Sequence, residues 1–300
     1  MNLALCCISL NLQEQGHKFQ TMTWTRFKSL PRKEAIDILS SRILNNFQVT
    51  NKVIQYCFDN GIKGYRMSSN IVPLINHPEF NISLQDLPNW NLIFNEIQNI
   101  RKTLSATGVR VSAHPSEYIS LTSDCSNIIL NSVRDLQQHA EIFDLLGLPV
   151  SHWSPLNIHI RQDGNPEEIY EKFAKNFDKL SDSVKKRLVI EVNDNKDGTW
   201  NIPNLVNFVF NKLKLPITFD SLHNKLCNAG HSEKEMYDMA YSTWDIVPLF
   251  HYSEGVNGTR KHADYANLLP EDYGKEVFWD VEVKMKDYAI SQMLAKMKKS

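Results

Sequence analysis

An α/β fold, built as a single (β/α)₈ TIM barrel over residues 1–300, is what this sequence predicts, and three observations predict it. Short apolar runs alternate about eight times with longer segments of helical period, the pattern of βα units around a parallel sheet. Barrels of this kind occupy about 250 residues as one unit, so a chain of 300 residues needs no second domain. Histidines and carboxylates recur at the ends of the candidate strands, where a barrel gathers its active site.

The chain opens on MNLALCCISLNL, apolar but without the basic flank and small-residue cleavage site of a signal peptide, so residues 2–9 are predicted as a buried strand. A long connection, 10–32, leads to a helical segment at 33–60 and a second strand at 63–67. Helix 88–107 and strand 109–114 follow, then a second long connection, 115–124, and helix 125–146. The fourth strand lies within 149–159 and precedes helix 166–180. Strand 187–193, helix 201–213, strand 215–220, helix 232–240 and strand 246–252 continue the alternation. A third long connection, 253–276, leads to strand 277–283 and helix 284–298, ending in the solvated KMKKS. All three long connections follow strands and so lie at the C-terminal face, and long loops in compact domains tend to be functional. No repeat, low-complexity tract or Pro/Gly-rich linker marks a second domain.

With 42% apolar and 22% charged residues the chain can bury a core and does not have the composition of a disordered one. A net charge of −1 gives no global attraction to a polyanion, so nucleic-acid binding would need a local basic face. Five cysteines with no C-x-x-C pair give no disulfide or zinc framework, and a reducing intracellular compartment is expected. No run reaches the roughly 18 apolar residues of a membrane span. The absence of G-x-x-x-x-G-K-[ST], G-x-G-x-x-G and G-x-S-x-G removes the commonest nucleotide-binding and serine-hydrolase readings.

The candidate chemistry sits at strand ends. His114 closes VRVSAHP, His159 lies in LNIHI, and Glu191 in RLVIEVND. Asp220 and His223 share PITFDSLH, with His231 beyond. His251 lies in VPLFHYS, His262 in the loop after it, and Glu282 in FWDVEVK. One such residue alone is more often structural, but side chains at parallel strand ends converge on one mouth, and unpaired buried carboxylates would cost several kcal/mol each unless a cation neutralised them. Imidazoles and carboxylates together suit Zn²⁺, Mn²⁺ and related ions. The donors exceed what one ion uses, so two or three ions are expected, with Glu191 able to bridge two. Such a site suits phosphodiester hydrolysis, because it activates water near neutral pH and stabilises both the attacking and the leaving oxygen. His139 and His152 are taken as an ordinary helical residue and a loop or core residue, and His17 as a loop residue.

These residues resemble the ultraviolet-damage endonucleases and, more distantly, the apurinic endonucleases and sugar isomerases of the same barrel superfamily. The likeness spans nearly the whole chain: CCISLNL, GYRMSSNIVPLINHP, SAHPSEY, VIEVNDN, FDSLHNKLCNAG, FHYSEG with HADY, and DVEVKMKD. It implies metal ligands at His114, His159, Glu191, Asp220, His223, His251, His262 and Glu282, with His77 of LINHP as an addition. Glu191, Glu282 and His251 are the expected catalytic centre. Tyr118 resembles the family's aromatic probe of damaged or flipped bases, with Glu117 beside it, and Arg66, Ser68 and Ser69 are candidates for holding substrate or supporting the ligands. Two or three divalent ions are implied, Mn²⁺ first and Zn²⁺ as the alternative. The implied partner is damaged double-stranded DNA, bound by a monomer without membrane or obligate protein partner. The implied reaction is a cut immediately 5′ of a photoproduct extruded from the duplex, leaving a 3′-hydroxyl and a 5′-phosphate. Lys18, Arg26, Lys28, Arg260 and Lys261 in the long loops are candidates for the phosphate track.

The chain departs from the family pattern at four places. Leu249 stands where the family often has a lysine that can be carboxylated to help bridge metals, so one metal position is expected to be differently built. Glu117 replaces a glutamine beside the probe, and Leu5 and Ser9 replace a tyrosine and an asparagine, changes expected to alter lesion recognition. Three alternatives stay open: an apurinic endonuclease, a sugar isomerase, or a barrel that binds lesions with impaired catalysis.

Overall fold

In the computed structural model, which describes residues 1–299, eight parallel strands form one sheet in the order β6-β5-β4-β3-β2-β1-β8-β7. They are β1 (Asn2–Cys6), β2 (Gly64–Met67), β3 (Arg110–Ala113), β4 (Leu156–His159), β5 (Leu188–Glu191), β6 (Ile217–Thr218), β7 (Leu249–Tyr252) and β8 (Phe278–Val281). The ring closes between β6 and β7 through a single parallel bridge, Asp220 to His251, with the His251 N–H donating to the Phe219 carbonyl at 2.9 Å. The predicted barrel is therefore observed, and its seam lies at two of the candidate ligands.

Helices cover the strands because each presents an apolar stripe at three- and four-residue spacing. Arg32–Asp59 buries Ala35, Leu39, Ile43, Phe47 and Ile54, and packs along Trp90–Thr107, which buries Ile93, Ile97 and Ile100. The second of these stops at Gly108, whose φ of 66° suits a residue without Cβ and whose N–H closes on the Leu104 carbonyl. Pro166–Phe177 starts where Asn165 caps the Glu167 N–H at 3.0 Å and Pro166 presets the first turn. The segment 201–213 is helical as expected but contains a π-helical stretch, Leu205–Phe210.

Strand alternation sends one set of side chains into the barrel and the other under the helices. The inward set mixes apolar residues such as Val189 and Leu249 with polar ones that dominate toward the mouth. At the floor, Arg110 is buried between the rings of Trp153 and Phe278, 4.5 and 4.9 Å from their centroids, and donates to the Trp153 and Val247 carbonyls at 2.8 Å. Burial pulls its pKa down to about 9. Gly64 permits the close approach of β1 and β2, since a Cβ there would lie 2.7 Å from that of Ala4. Above this floor lie Ser112, Asn157 and Asp280, all buried, and then the candidate ligands.

The strands are shorter than predicted, and short helices appear where loops were expected. Leu10–Glu14 and Trp24–Lys28 lie within the 10–32 connection, and Ser221–Leu226 follows β6. Helices of five or six residues have little stability of their own and form where tertiary partners hold them. Asp287, at the far end of the chain, accepts from the N–H groups of Leu10 and Asn11 at 2.7 and 3.1 Å and from Ser9 Oγ at 2.8 Å. Ser9 is thus a buried capping residue, and Leu5 packs in the apolar core. The expectation that these two positions alter lesion recognition is corrected by this placement: of the three departures tied to recognition, only Glu117 lines the mouth. Another long connection, 68–89, follows β2 and carries the candidates Ser68, Ser69 and His77. All five cysteines are free, and no helix among the described residues is long and apolar enough to cross a membrane.

Candidate metal centre

Glu191, at the end of β5, is the hub of the mouth and is 1% exposed. Its Oε2 lies 3.1 Å from His114 Nε2, 3.5 Å from His159 Nε2 and 3.1 Å from His251 Nδ1, and its Oε1 lies 3.0 Å from His223 Nδ1. Asn157 Nδ2, on the neighbouring strand, donates to Oε2. Each imidazole comes from a different strand end or, for His223, from the short helix Ser221–Leu226 that follows one, so the barrel itself aims them.

Three overlapping groups bring ligand atoms within 4.8 Å of one another: His114, His159 and Glu191; Glu191, Asp220 and His223; and Asp220, His251 and Glu282. Glu191 and Asp220 are each shared by two groups, as bridging carboxylates would be. Asp220 caps the helix Ser221–Leu226 with one oxygen, Oδ1, which accepts from the Leu222 and His223 N–H groups at 2.7 Å. Its other oxygen is buried without a hydrogen-bond partner, as are both ring nitrogens of His251 and Nδ1 of His159. Buried polar atoms are normally paired, so these orphans, with neutral imidazole and carboxylate donors, fit divalent cations. His114 Nδ1 donates to the Pro115 carbonyl at 3.2 Å, so Nε2, 3.1 Å from Glu191, is the nitrogen that would be offered to a cation.

The titration states follow from this crowding. Burial favours a neutral Glu191, but the imidazoles of His251 and His159 and the hydrogen bonds from His114 and His223 hold it well below the usual carboxylate range. Burial disfavours charge on His159, and its pKa falls to about 3, so it is ready as a neutral ligand. Burial also opposes charge on His251, yet Glu191 and Glu282 outweigh it and raise that pKa to about 9 from 6.5. Without an ion, His251 therefore keeps a proton that a cation must displace. The sign is fixed: the raised pKa stabilises the metal-free fold below pH 6.5, and this contribution is lost as pH rises through 9. Ion uptake runs the other way. Apparent Mn²⁺ affinity is expected to rise between pH 6.5 and 9, by up to about tenfold per pH unit for each proton displaced, with proton release measurable in weakly buffered solution. An affinity flat over that window would contradict a protonated His251.

Glu282 is buried beside Arg66, whose guanidinium pairs with its Oε1, while His251 Nδ1 lies 3.3 Å from the same oxygen. Burial would raise the Glu282 pKa, but Arg66 and then His251 hold it far below the usual range. His262 sits at the rim, its Nδ1 donating to the Glu282 carbonyl and its Nε2 3.8 Å from Glu282 Oε2. Seven of the expected ligands thus converge, and an eighth borders them.

His77 does not. Its ring stacks on Trp24 at 4.4 Å and its Nδ1 accepts from the Glu79 N–H, beside a separate cavity bounded by Tyr118 and Asp135, so its assignment as a ligand is corrected. His231 is a surface residue near Glu235, and His139 is a buried helical residue bonded to the Asp135 carbonyl. Leu249 faces the barrel interior one position pair below His251, is buried and offers no donor.

The mouth is a cavity of about 830 Å³ lined by Arg66, Ser69, Glu117, Arg161, Asp194, Arg260 and Lys261 and by the ligands His114, His159, Glu191, His223, His262 and Glu282. Ser69 supports the site by donating to the His114 carbonyl at 2.7 Å. Arg260 and Lys261 line this mouth as expected, whereas Lys18, Arg26 and Lys28 do not, and Lys28 instead lies over the Trp24 ring. Arg161, Asn157 and Asp280 escaped the sequence reading. Arg161 follows the strand that ends in His159, and that adjacency was the available signal. Tyr118 is 82% exposed on the connection after β3, beside the mouth.

The family model described as UV-endonuclease UvdE matches residues 1–300. A UV DNA damage endonuclease of Nostoc sp. is 29% identical over 308 residues, covering 97% of this chain and 88% of that protein. One from Bacillus mycoides is 30% identical over 296 residues, covering 93% and 89%. The crystal structure of SacUVDE superposes with a TM-score of 0.81 at 25% identity over the full length of both chains. Endonuclease IV from Thermus thermophilus shares the fold, with a TM-score of 0.57 at 15% identity over 83% of this chain and 94% of that one. With its barrel, its convergent ligand set and these matches together, the chain belongs to the UV-endonuclease UvdE family.

Proposed function

We propose that this protein is a metal-dependent DNA repair endonuclease that nicks the phosphodiester immediately 5′ of ultraviolet photoproducts and related lesions in duplex DNA, leaving a 3′-hydroxyl and a 5′-phosphate. The observation that carries the proposal is Glu191, buried at the barrel mouth with four imidazole nitrogens within 3.5 Å of its oxygens. The three overlapping groups would hold two or three divalent ions, Mn²⁺ first and Zn²⁺ as the alternative, with Leu249 contributing none. Ions bound there supply water activation near neutral pH and charge neutralisation on a phosphodiester.

The chain's own residues do the rest. Glu191 and Asp220 fix the spacing of the ligand groups, and Arg66 keeps Glu282 ionised and aimed at His251. Arg161, Arg260 and Lys261 attract the phosphate backbone to a mouth on a chain with almost no net charge. Glu117 in the same rim repels phosphate and thereby disfavours backbone contact next to the probe. Tyr118 stands free to fill or wedge the gap left by an extruded lesion, and extrusion is easiest where a photoproduct has already broken stacking.

Because Tyr118 is exposed, Tyr118→Ala is expected to leave stability and metal content unchanged. It should weaken binding to lesion-bearing duplexes by about 1–3 kcal/mol, the worth of one base–aromatic stack, as read by fluorescence anisotropy. Unchanged lesion affinity would remove Tyr118 from the recognition surface.

The function is tested by incision of duplexes carrying a cyclobutane dimer, a 6-4 photoproduct, an abasic site or no lesion, with Mn²⁺ and with chelator. Metal-dependent nicks just 5′ of the photoproducts are expected. Cleavage confined to abasic DNA would make the protein an apurinic endonuclease, and binding without cleavage under every metal condition would make it a lesion-binding barrel.

A further inference from the structure

Asp280 lies outside the three groups of converging ligands, yet it is a fully buried carboxylate at the centre of the barrel. It sits on β8 directly in register with His251 on β7, so the two inward side chains occupy one layer side by side. Ser112 Oγ donates to its Oδ2 at 3.3 Å. Arg66 is 3.9 Å away and already engaged by Glu282, and Oδ1 has no hydrogen-bond partner. One hydroxyl and one shared guanidinium do not offset the cost of burying an anion.

The remaining neighbour explains the placement. His251 is 0% exposed, and its two nitrogens face different surroundings. Nδ1 points to Glu191 and Glu282 at 3.1 and 3.3 Å, whereas Nε2 points to Asp280 Oδ2 at 3.6 Å. A neutral imidazole that offers the Nδ1 lone pair to a cation must carry its proton on Nε2, and a buried N–H needs an acceptor. We infer that Asp280 is the positioning residue for His251: its carboxylate faces the Nε2–H as acceptor, fixes the tautomer and ring orientation, and leaves Nδ1 as the nitrogen presented to the metal. Carboxylate–histidine–metal relays of this kind recur in metalloproteins and affect both affinity and ligand basicity. The inference rests on the metal-centre reading above and assigns Asp280 no contact with substrate or ion.

The test compares the full-length parent with Asp280→Leu and Asp280→Asn, using Zn²⁺ and Mn²⁺ alone as probes. In the Zn²⁺-loaded parent, long-range ¹H–¹⁵N correlation is expected to show His251 protonated at Nε2 and coordinated through Nδ1. Asp280→Leu should bind one ion about 10- to 100-fold more weakly, while Asp280→Asn, whose amide oxygen still accepts, should retain the tautomer and most of the affinity. If Asp280→Leu does not fold, the tautomer in the parent and in Asp280→Asn decides. Parent-like affinity in Asp280→Leu, an equal loss in both variants, or a His251 protonated at Nδ1 would overturn the role of Asp280 while leaving the metal centre standing. A parent that takes up no ion would instead sink the metal-centre reading and this inference with it.

Discussion

Glu191→Gln is expected to lower the incision rate on the order of 10³-fold and to empty much of the metal centre. The glutamate is the common member of two ligand groups, and four imidazoles face its oxygens. An amide removes the charge that offsets the cations and turns one of the two oxygens into a donor aimed at ring nitrogens or at Asn157, which already donates there. Removing one partner of a buried charged network costs about 3–5 kcal/mol, and each 1.36 kcal/mol is about a factor of ten in rate. Elemental analysis and single-turnover incision measure the two consequences separately. A variant with the parent's metal content but no activity would make Glu191 a reacting group rather than a bridge, and one with the parent's activity would end the claim that the cluster is the catalytic centre.

The largest effect on stability is expected from Arg66→Met. This substitution roughly conserves volume but strips the guanidinium from Glu282 and from Asp280 nearby. Leaving these carboxylates buried without it should cost about 3–5 kcal/mol in the metal-free protein, read from urea unfolding. The pH dependence carries the diagnosis. The Glu282 pKa is held far below 4.5 by Arg66 and His251 despite burial, so its contribution is present above pH 4.5 and is lost as pH falls through the depressed folded value. The gap between parent and variant should therefore narrow on acidification. Adding Glu282→Gln to Arg66→Met should restore part of the loss, since the buried charge then goes with its partner. A gap independent of pH would mean that Arg66 acts through packing alone.

Most of the ligand set was legible in the sequence because barrel topology converts a one-dimensional position into a place in space. A histidine or carboxylate that ends a strand must face the mouth if its parity is inward, and His114, His159, Glu191, His251 and Glu282 all obey that rule. Asp220 and His223 also follow it, although their helix, Ser221–Leu226, is too short to leave a periodic signal. His77 looked equivalent within its motif, but it lies in an irregular connection rather than at a strand end, and stacking on Trp24 sets its orientation. Arg161 and Asn157 were hidden because sequence reading favoured His, Asp and Glu, while their roles depend on cavity shape and on a neighbour across the β4–β5 pair.

The sequence by itself determined the α/β class, the eight strands, the apolar helix faces and the family, because hydrophobic period and local motif are properties of neighbouring residues. Tertiary structure alone decided the pairings. Register set His251 beside Asp280, closure of the β6–β7 seam joined Asp220 to His251, and the return of the last helix brought Asp287 to the first loop. It also sent Leu5 and Ser9 away from the mouth and left Glu117 within it. Those outcomes depend on distances between segments as far as 278 residues apart in the chain, fixed by strand register and side-chain packing rather than by any local preference.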